Sequence, residues 1–427
     1  MGINQKISSV IKSLIGTAGV FVLGMIISFI FNWAITKYMP QKEVGFYQYY
    51  ISIITLAMLI VPLGYQGLAQ REAIALNKKS IIRLSQQAVL AILLGSIIFG
   101  SIWFFGVSRY KWVKDLIEFD GLLLAIVIIP IYASNIFFKA VLQGQNKIFS
   151  SILPDVLVRP TILLLSLIIL PILGLKITYT NLLWVLMIIL ICTLVFLSLK
   201  AIKIDDFETN ETNETKKSWF RQAITLLPIG LLSIINERID VVMVTKILGP
   251  ESNAIYGVAF KFALFSGFGL VILNQIMVPH YADYFKNGQK IAIIKKKIKP
   301  NVRISFFLSL LVFLLLLILG ENVLGWFGKP TEKYSLGYIA MIILAFGQLF
   351  NVAFGSTGYI LTMAKKESLV ILSIGTGMIA NILLNYFLVP IIHLEGAAIA
   401  TSVSIIVWNV MMLIFVKKKT KINPTIF

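Results

Sequence analysis

Runs of about twenty consecutive apolar residues recur along this chain almost without pause, beginning near Leu14 and ending near Val416. A helix needs about 20 such residues to cross the hydrocarbon core of a bilayer. A water-soluble fold of 427 residues that is 58% hydrophobic and only 13% charged would have nowhere to place so much apolar surface. Lipid is therefore the solvent. The run from Leu14 to about Ile35 is too long for the core of a signal peptide and has no small-residue cleavage site, so it reads as the first span.

Spans are expected near 14–38, 44–68, 83–106, 121–142, 150–173, 181–200, 221–247, 253–280, 302–320, 335–360, 367–390 and 395–416. The fold class that follows is an all-α integral membrane protein of twelve transmembrane helices. An even count returns both termini to one side, and Lys/Arg bias decides which. One set of loops holds Arg71, Lys78, Lys79, Arg83, Lys139, Lys147, Lys200, Lys203, Lys216, Lys217 and Arg221, and continues from Lys286 to Arg303 and Lys365–Lys366. Both termini join it through Lys6, Lys12 and Lys417–Lys419, whereas the opposite loops are poor in cations. The termini are expected to be cytoplasmic. The net charge of +19 thus belongs to short loops between spans and not to a nucleic-acid surface.

The longest polar stretch, 201–217, is acidic and sits at the midpoint, where it reads as a linker between an N-terminal bundle (1–200) and a C-terminal bundle (218–427) of six helices each. Weak internal similarity supports a duplication. Ile35-Thr36-Lys37 with Tyr47 lines up with Val244-Thr245-Lys246 with Tyr256. At a nearly equal shift, Leu142, Lys147, Leu153, Pro171 and Leu175 fall on Leu361, Lys366, Leu372, Pro390 and Leu394. Six spans is even, so both bundles enter the membrane in the same direction and relate by a pseudo-two-fold along its normal, the arrangement of transporters with parallel repeats.

Charges inside the spans are the candidate functional residues. Arg159, Arg238 and Lys261 are cationic; Asp155, Glu237 and Asp240 are acidic. A charge near the bilayer centre costs at least about 2.5–3.5 kcal/mol on insertion scales, so each needs a wet surface or a partner. Asp155 and Arg159, four apart, can pair on one helix face, and Glu237 with Asp240 can hold Lys261. The functional alternative is a cationic cavity for an anionic headgroup, with the acids coupling transport to an ion. Asn32, Asn236, Asn274, Gln275, Gln348, Asn351, Asn381, Asn385 and Asn409 can hydrogen-bond sugar hydroxyls, although helix-to-helix bonding is the commoner use of amides in membranes. Tyr47, Tyr49, Tyr50, Trp103, Trp112 and Trp326 read as interfacial aromatic belts. The single cysteine, Cys192, reads as a small buried hydrophobe. His280 and His393 are too isolated for metal or acid–base chemistry, so no catalytic residue, metal or cofactor is expected.

Pro62-Leu63-Gly64-Tyr65-Gln66-Gly67-Leu68 leading into Arg71, Leu142-Gln143-Gly144, and Arg238-Ile239-Asp240 with Leu248-Gly249 and Tyr256 are the local features of a family resemblance. With the twelve-span pattern they make the whole chain similar to the multidrug/oligosaccharidyl-lipid/polysaccharide flippase superfamily. Within it the chain resembles the bacterial polysaccharide repeat-unit flippases of O-antigen and capsule assembly (Wzx type). The resemblance implies movement of an undecaprenyl-diphosphate-linked oligosaccharide from the cytoplasmic to the periplasmic leaflet of the inner membrane, by alternating access and with an ion gradient. It implies membrane lipid as surroundings, and a polysaccharide polymerase and a chain-length regulator as candidate partners. Spans one and two lack the central arginines of lipid-linked peptidoglycan precursor flippases and the acids of drug/cation antiporters, which disfavours both substrates. A membrane-embedded polymerase or ligase is disfavoured because the outer loops are short and gather no catalytic constellation.

Overall fold

The computed structural model describes residues 20, 23–73, 76–109, 119–145, 147–202, 219–287, 291–420 and 422–426. The acidic linker, apart from Ala201 and Ile202, lies outside these residues, as do Lys6, Lys12 and Trp112. Among the described residues there are helices and turns and no strand. Eight of the helices are long and apolar enough to cross a membrane. Large apolar side chains are exposed along whole faces of them, including Leu90, Leu94, Ile98 and Ile102 on one and Ile304, Leu311 and Ile318 on another. Faces of that size are tolerable only against lipid, so this is a multi-pass membrane protein.

The chain divides into two compact units, Met1–Leu231 and Leu232–Phe427. The first contains α1 (Leu23–Tyr38), α2 (Gln41–Ile60), α3 (Tyr65–Glu72), α4 (Lys78–Arg109), α5 (Phe119–Gly144), α6 (Ile148–Leu153), α7 (Arg159–Ile172), α8 (Tyr179–Ile202) and the start of α9 (Trp219–Leu248). Helix α5 is its hub, packed on α2, α3, α4 and α8. Small residues make that closeness possible. A Cβ at Gly121 would run into the Tyr50 ring, and one at Gly144 into the carbonyls of Ala69 and Gln70. Asn135 of α5 donates to the Leu190 carbonyl of α8 at 2.9 Å and accepts from Thr193 at 2.9 Å. Such interhelical bonds average about 0.6 kcal/mol in membranes.

The expected second span, 44–68, is interrupted. Helix α2 ends at Ile60, and Gly64, at φ 86°, caps a separate short helix. Any side chain at Gly64 would meet the Ala223 carbonyl, so the Pro62–Leu68 segment is a built turn. The belt assignment fails for three tyrosines: Tyr47, Tyr49 and Tyr50 are buried inside the unit. Tyr50 stacks on Tyr179 with centroids 5.4 Å apart and planes 12° apart, a contact worth about 0.5–1.5 kcal/mol beyond its area. Trp326 is exposed, as a belt residue would be. Cys192 is also not buried; it shares the exposed face of α8 with Ile188, Ile191 and Val195. A thiol is apolar enough for lipid to replace protein as its surroundings.

Between α6 and α7 the helix widens into a π turn, Pro154–Val158. Pro160 explains it. Its ring has no N–H for the Val156 carbonyl four residues back and would clash with it in a regular turn. The wider turn relieves that crowding. The Val156 carbonyl meets α1 at Gly24, where a Cβ would collide with it.

The second unit holds the rest of α9, α10 (Pro250–Phe265), α11 (Phe268–Asn287), α12 (Ile291–Gly325), α13 (Tyr338–Phe354), α14 (Thr357–Met363) and α15 (Glu367–Thr420). The expected span 253–280 is broken at Ser266–Gly267. Span 335–360 is broken at Gly355, whose φ is 70°. Helix α15 is two helices joined through non-helical Ile392 and His393, in the gap expected between the last two spans. Helix α13 packs on α10, α12 and α15. The Ser402 hydroxyl of α15 donates to the Ile343 carbonyl of α13 at 2.8 Å, and Asn409 donates to Asn351 Oδ1 at 2.9 Å.

Candidate functional site

In the first unit, three charged groups and a phenol meet on α5 and the π turn. Lys139 Nζ donates to Asp155 Oδ2 at 2.6 Å, and Arg159 Nη2 lies 3.3 Å from Asp155 Oδ1. Arg159 Nη1 also donates to Tyr132 Oη, and the guanidinium carbon sits 5.0 Å from the Tyr132 ring centroid. Tyr132 and Lys139 are two turns apart on one face of α5, and the π turn puts Asp155 and Arg159 beside them. Tyr47 of α2 is near enough to feel the Arg159 charge. The side chains of Lys139, Asp155 and Arg159 keep 24%, 17% and 21% of their surface. Two cations thus share one carboxylate, leaving net positive charge that water or a ligand can reach.

The expected Asp155–Arg159 pair is present. Lys139 is a correction: assigned to a loop, it lies inside α5 and makes the shorter of the two bonds to Asp155. Its apolar neighbours Phe137, Phe138 and Val141 mark it as a span residue, and Tyr132 two turns earlier was the available signal.

In the second unit, Asp240 of α9 is 1% exposed and surrounded by neutral donors. Its Oδ1 accepts from Asn385 Nδ2 at 2.9 Å. Its Oδ2 accepts from Thr401 Oγ1 and from Tyr256 Oη at 3.2 Å. Asn381 Nδ2 reaches Thr401 Oγ1 at 3.5 Å, and Asn385 Nδ2 also donates to Asn381 Oδ1 at 3.0 Å. Asn385 Oδ1 is buried without a hydrogen-bond partner among the described residues. No ion pair to Asp240 exists among them either. The expected use of Asp240 as a partner of Lys261 is therefore replaced by hydroxyl and amide donors. A buried carboxylate beside an orphan amide oxygen and a hydroxyl can take up a proton or a small hard cation.

Arg238, two residues before Asp240, is half-buried, and its Nε has no hydrogen-bond partner among the described residues. Lys261 of α10 is exposed at the surface of its unit and close enough to Arg238 for the two charges to repel. The side chains of Asn236, Glu237 and Gln275 lie outside the described set. Asn32 donates to its own helix at Ser28 (2.6 Å). Asn274 Oδ1 is buried and has no partner among the described residues. Gln348 Oε1 accepts from Asn351 at 3.4 Å. Asn381 and Asn385 are fully buried around Asp240. Tyr256 and Thr401 were not foreseen as site residues; only the need of Asp240 for donors pointed to them.

The family described as "Polysaccharide biosynthesis protein" matches over residues 10–285, more than half of the chain. The chain belongs to this family. It is also 26% identical over 182 residues to the capsular polysaccharide biosynthesis protein CapF of Staphylococcus aureus. That match spans 40% of this chain and 43% of the relative. Among solved structures it is similar to the lipid II flippase MurJ in an inward closed conformation, with TM-score 0.65, 14% identity, and coverage of 94% of this chain and 87% of that one. It is also similar to an inward-facing multidrug resistance MATE transporter of the MOP superfamily, with TM-score 0.64, 13% identity, and coverage of 93% and 99%. The family and these folds place the chain in the multidrug/oligosaccharidyl-lipid/polysaccharide superfamily expected from its sequence.

Proposed function

We propose that this protein flips an undecaprenyl-diphosphate-linked oligosaccharide repeat unit, for capsule or O-antigen assembly, from the cytoplasmic to the outer leaflet of the bacterial inner membrane. The carrying observation is the sharing of Asp155 by Lys139 and Arg159. Two accessible cations held by one acid within apolar helices suit a multiply charged phosphate, which a guanidinium binds in a fork and an ammonium as a point charge. The family description and the capsular relative support a polysaccharide precursor as cargo. In this reading Arg238 and Lys261 are further headgroup contacts, while Asn32, Asn236, Asn274, Gln348 and Asn351 serve the sugars. Asn381 and Asn385 instead complete the surroundings of Asp240.

Asp240 is assigned to coupling with a proton or a small cation, and Glu237 to the same task; Asp155 acts on the headgroup cations. Drug/cation antiport is disfavoured because Lys139, Asp155 and Arg159 leave a net positive charge, and Asp240, an acid that could hold a cationic drug, is enclosed. We further propose that residues 1–200 and 218–427 form six-helix repeats joined by the 201–217 linker, with both termini cytoplasmic. In support, α5 packs on α8 in the first unit, and α13 is bonded through Ile343 and Asn351 to Ser402 and Asn409 of the last helical segment of the second. A polymerase and a chain-length regulator would receive the flipped product.

The test is transport of a fluorescent undecaprenyl-diphosphate oligosaccharide in proteoliposomes, with Arg159→Ala and Lys139→Ala beside the unaltered protein. Loss of flipping in both, with normal insertion, is expected. Full activity in both would sink the headgroup assignment.

A further inference from the structure

A cavity of about 540 Å³ opens in the second unit, away from the charged residues discussed above. Phe306 of α12, Phe346, Phe350 and Phe354 of α13, and Leu413 and Lys417 of α15 line it. Residues after α15 form part of its wall. Ile426 N donates to the Ala353 carbonyl at 3.2 Å, and Arg303 Nε donates to the Ile426 carbonyl at 3.4 Å. Gly355 lets this segment approach, since a Cβ there would collide with the Pro424 carbonyl.

From this geometry we infer that the cavity is a binding site for one anionic phospholipid, its acyl chain among the phenylalanines and its phosphate at Lys417. The volume is in the range of ligand sites, about 300–1,000 Å³. Apart from Asn423 and Thr425 beside Lys417, the described wall is phenyl rings and aliphatic side chains, so water finds few of the two or more polar partners each molecule needs. A hydrocarbon chain enters with nothing to desolvate. Charge picks the headgroup. Lys417 lies at the cavity, Lys418 and Lys419 follow in the last turn of α15, and Arg303 is tied to the same wall. Among the described residues, no acidic one lines the cavity. Basic pockets between membrane helices characteristically hold acidic lipid headgroups. The lipid-linked cargo is the weaker occupant: the cations assigned to it are on α5, α7, α9 and α10, and none of the described lining residues belongs to these helices.

The experiment uses the full chain in detergent micelles with phosphatidylglycerol carrying a photoreactive acyl chain, mapped by peptide mass spectrometry. Labelling is expected on the peptides containing Phe346–Phe354 and Leu413–Lys417. Unlabelled phosphatidylglycerol should displace the probe about fivefold better than phosphatidylcholine, the selectivity expected of one basic contact near the surface. Lys417→Gln should erase that preference while labelling persists, and Ala353→Trp should fill the cavity and remove the label. If Ala353→Trp does not fold, the Lys417→Gln arm decides alone. Equal displacement by both phospholipids would overturn the proposal by showing mere solvation by any acyl chain. Stronger displacement by undecaprenyl phosphate would overturn it too, giving the cavity to the cargo's tail.

Discussion

Lys139 Nζ lies 2.6 Å from Asp155 Oδ2, although 16 residues and a helix boundary separate them in the chain. Arg159 approaches the other oxygen of the same carboxylate. Asp155 therefore occupies a place that a phosphate oxygen could take. Arriving cargo would find both cations already positioned, and the acid would return to them when the cargo leaves.

Replacing Asp155 by Asn tests this exchange. The amide keeps the shape and loses the charge, freeing two cations for an external anion. Binding of a diphosphate-bearing lipid should tighten by about tenfold, the low end for a charge-assisted hydrogen bond, while flipping slows because release is hindered. Equilibrium binding and single-turnover flipping separate the two effects; weaker binding would contradict the exchange.

Lys139→Ala and Arg159→Ala should each lower flipping by about tenfold to a hundredfold, on the same scale. Arg159→Lys should rescue only in part, because an ammonium cannot keep the Tyr132 contact and fork a phosphate together. Surface glycan in cells, normalised to membrane protein level, is the readout.

Asp240→Asn retains a side chain of the same size among Tyr256, Asn385 and Thr401. Flipping should fall by about tenfold or more and lose its response to an imposed ion gradient, the scale of a typical coupling energy. Vesicles with either a proton or a sodium gradient would identify the ion. A response retained in full would remove Asp240 from coupling.

Gly24→Val should destabilise the first unit, because its side chain has to displace the Val156 carbonyl and its Cγ1. Overpacking of this kind costs about 1–3 kcal/mol. A lowered thermal midpoint in detergent is expected, and an unchanged midpoint would mean that α1 does not rest on the π turn.

The membrane helices were legible in the sequence because apolar length is a strong local signal, and each expected span from 83–106 onward overlaps a helix. Interruptions at Val61–Gly64 and Gly355 were not legible, since both depend on what the backbone meets across space. The tyrosines of α2 misled for a related reason. Tyr50, three residues after Tyr47, suits a wet interface and a buried stack equally well, and only Tyr179, far along the chain, decides between them. In the candidate sites, charges inside apolar runs identified Arg159 and Asp240. Thr401 and Tyr256 carried no such mark, because hydroxyls are common in membrane helices and gain meaning only beside an acid.

The wide turn at Pro154–Val158 has a consequence for the spacing of the site. Such a turn takes up one residue more than its neighbours while the helix on either side keeps its facing. One residue added or removed at this turn would change the spacing of Asp155 and Arg159 while the helices on either side keep their present facing.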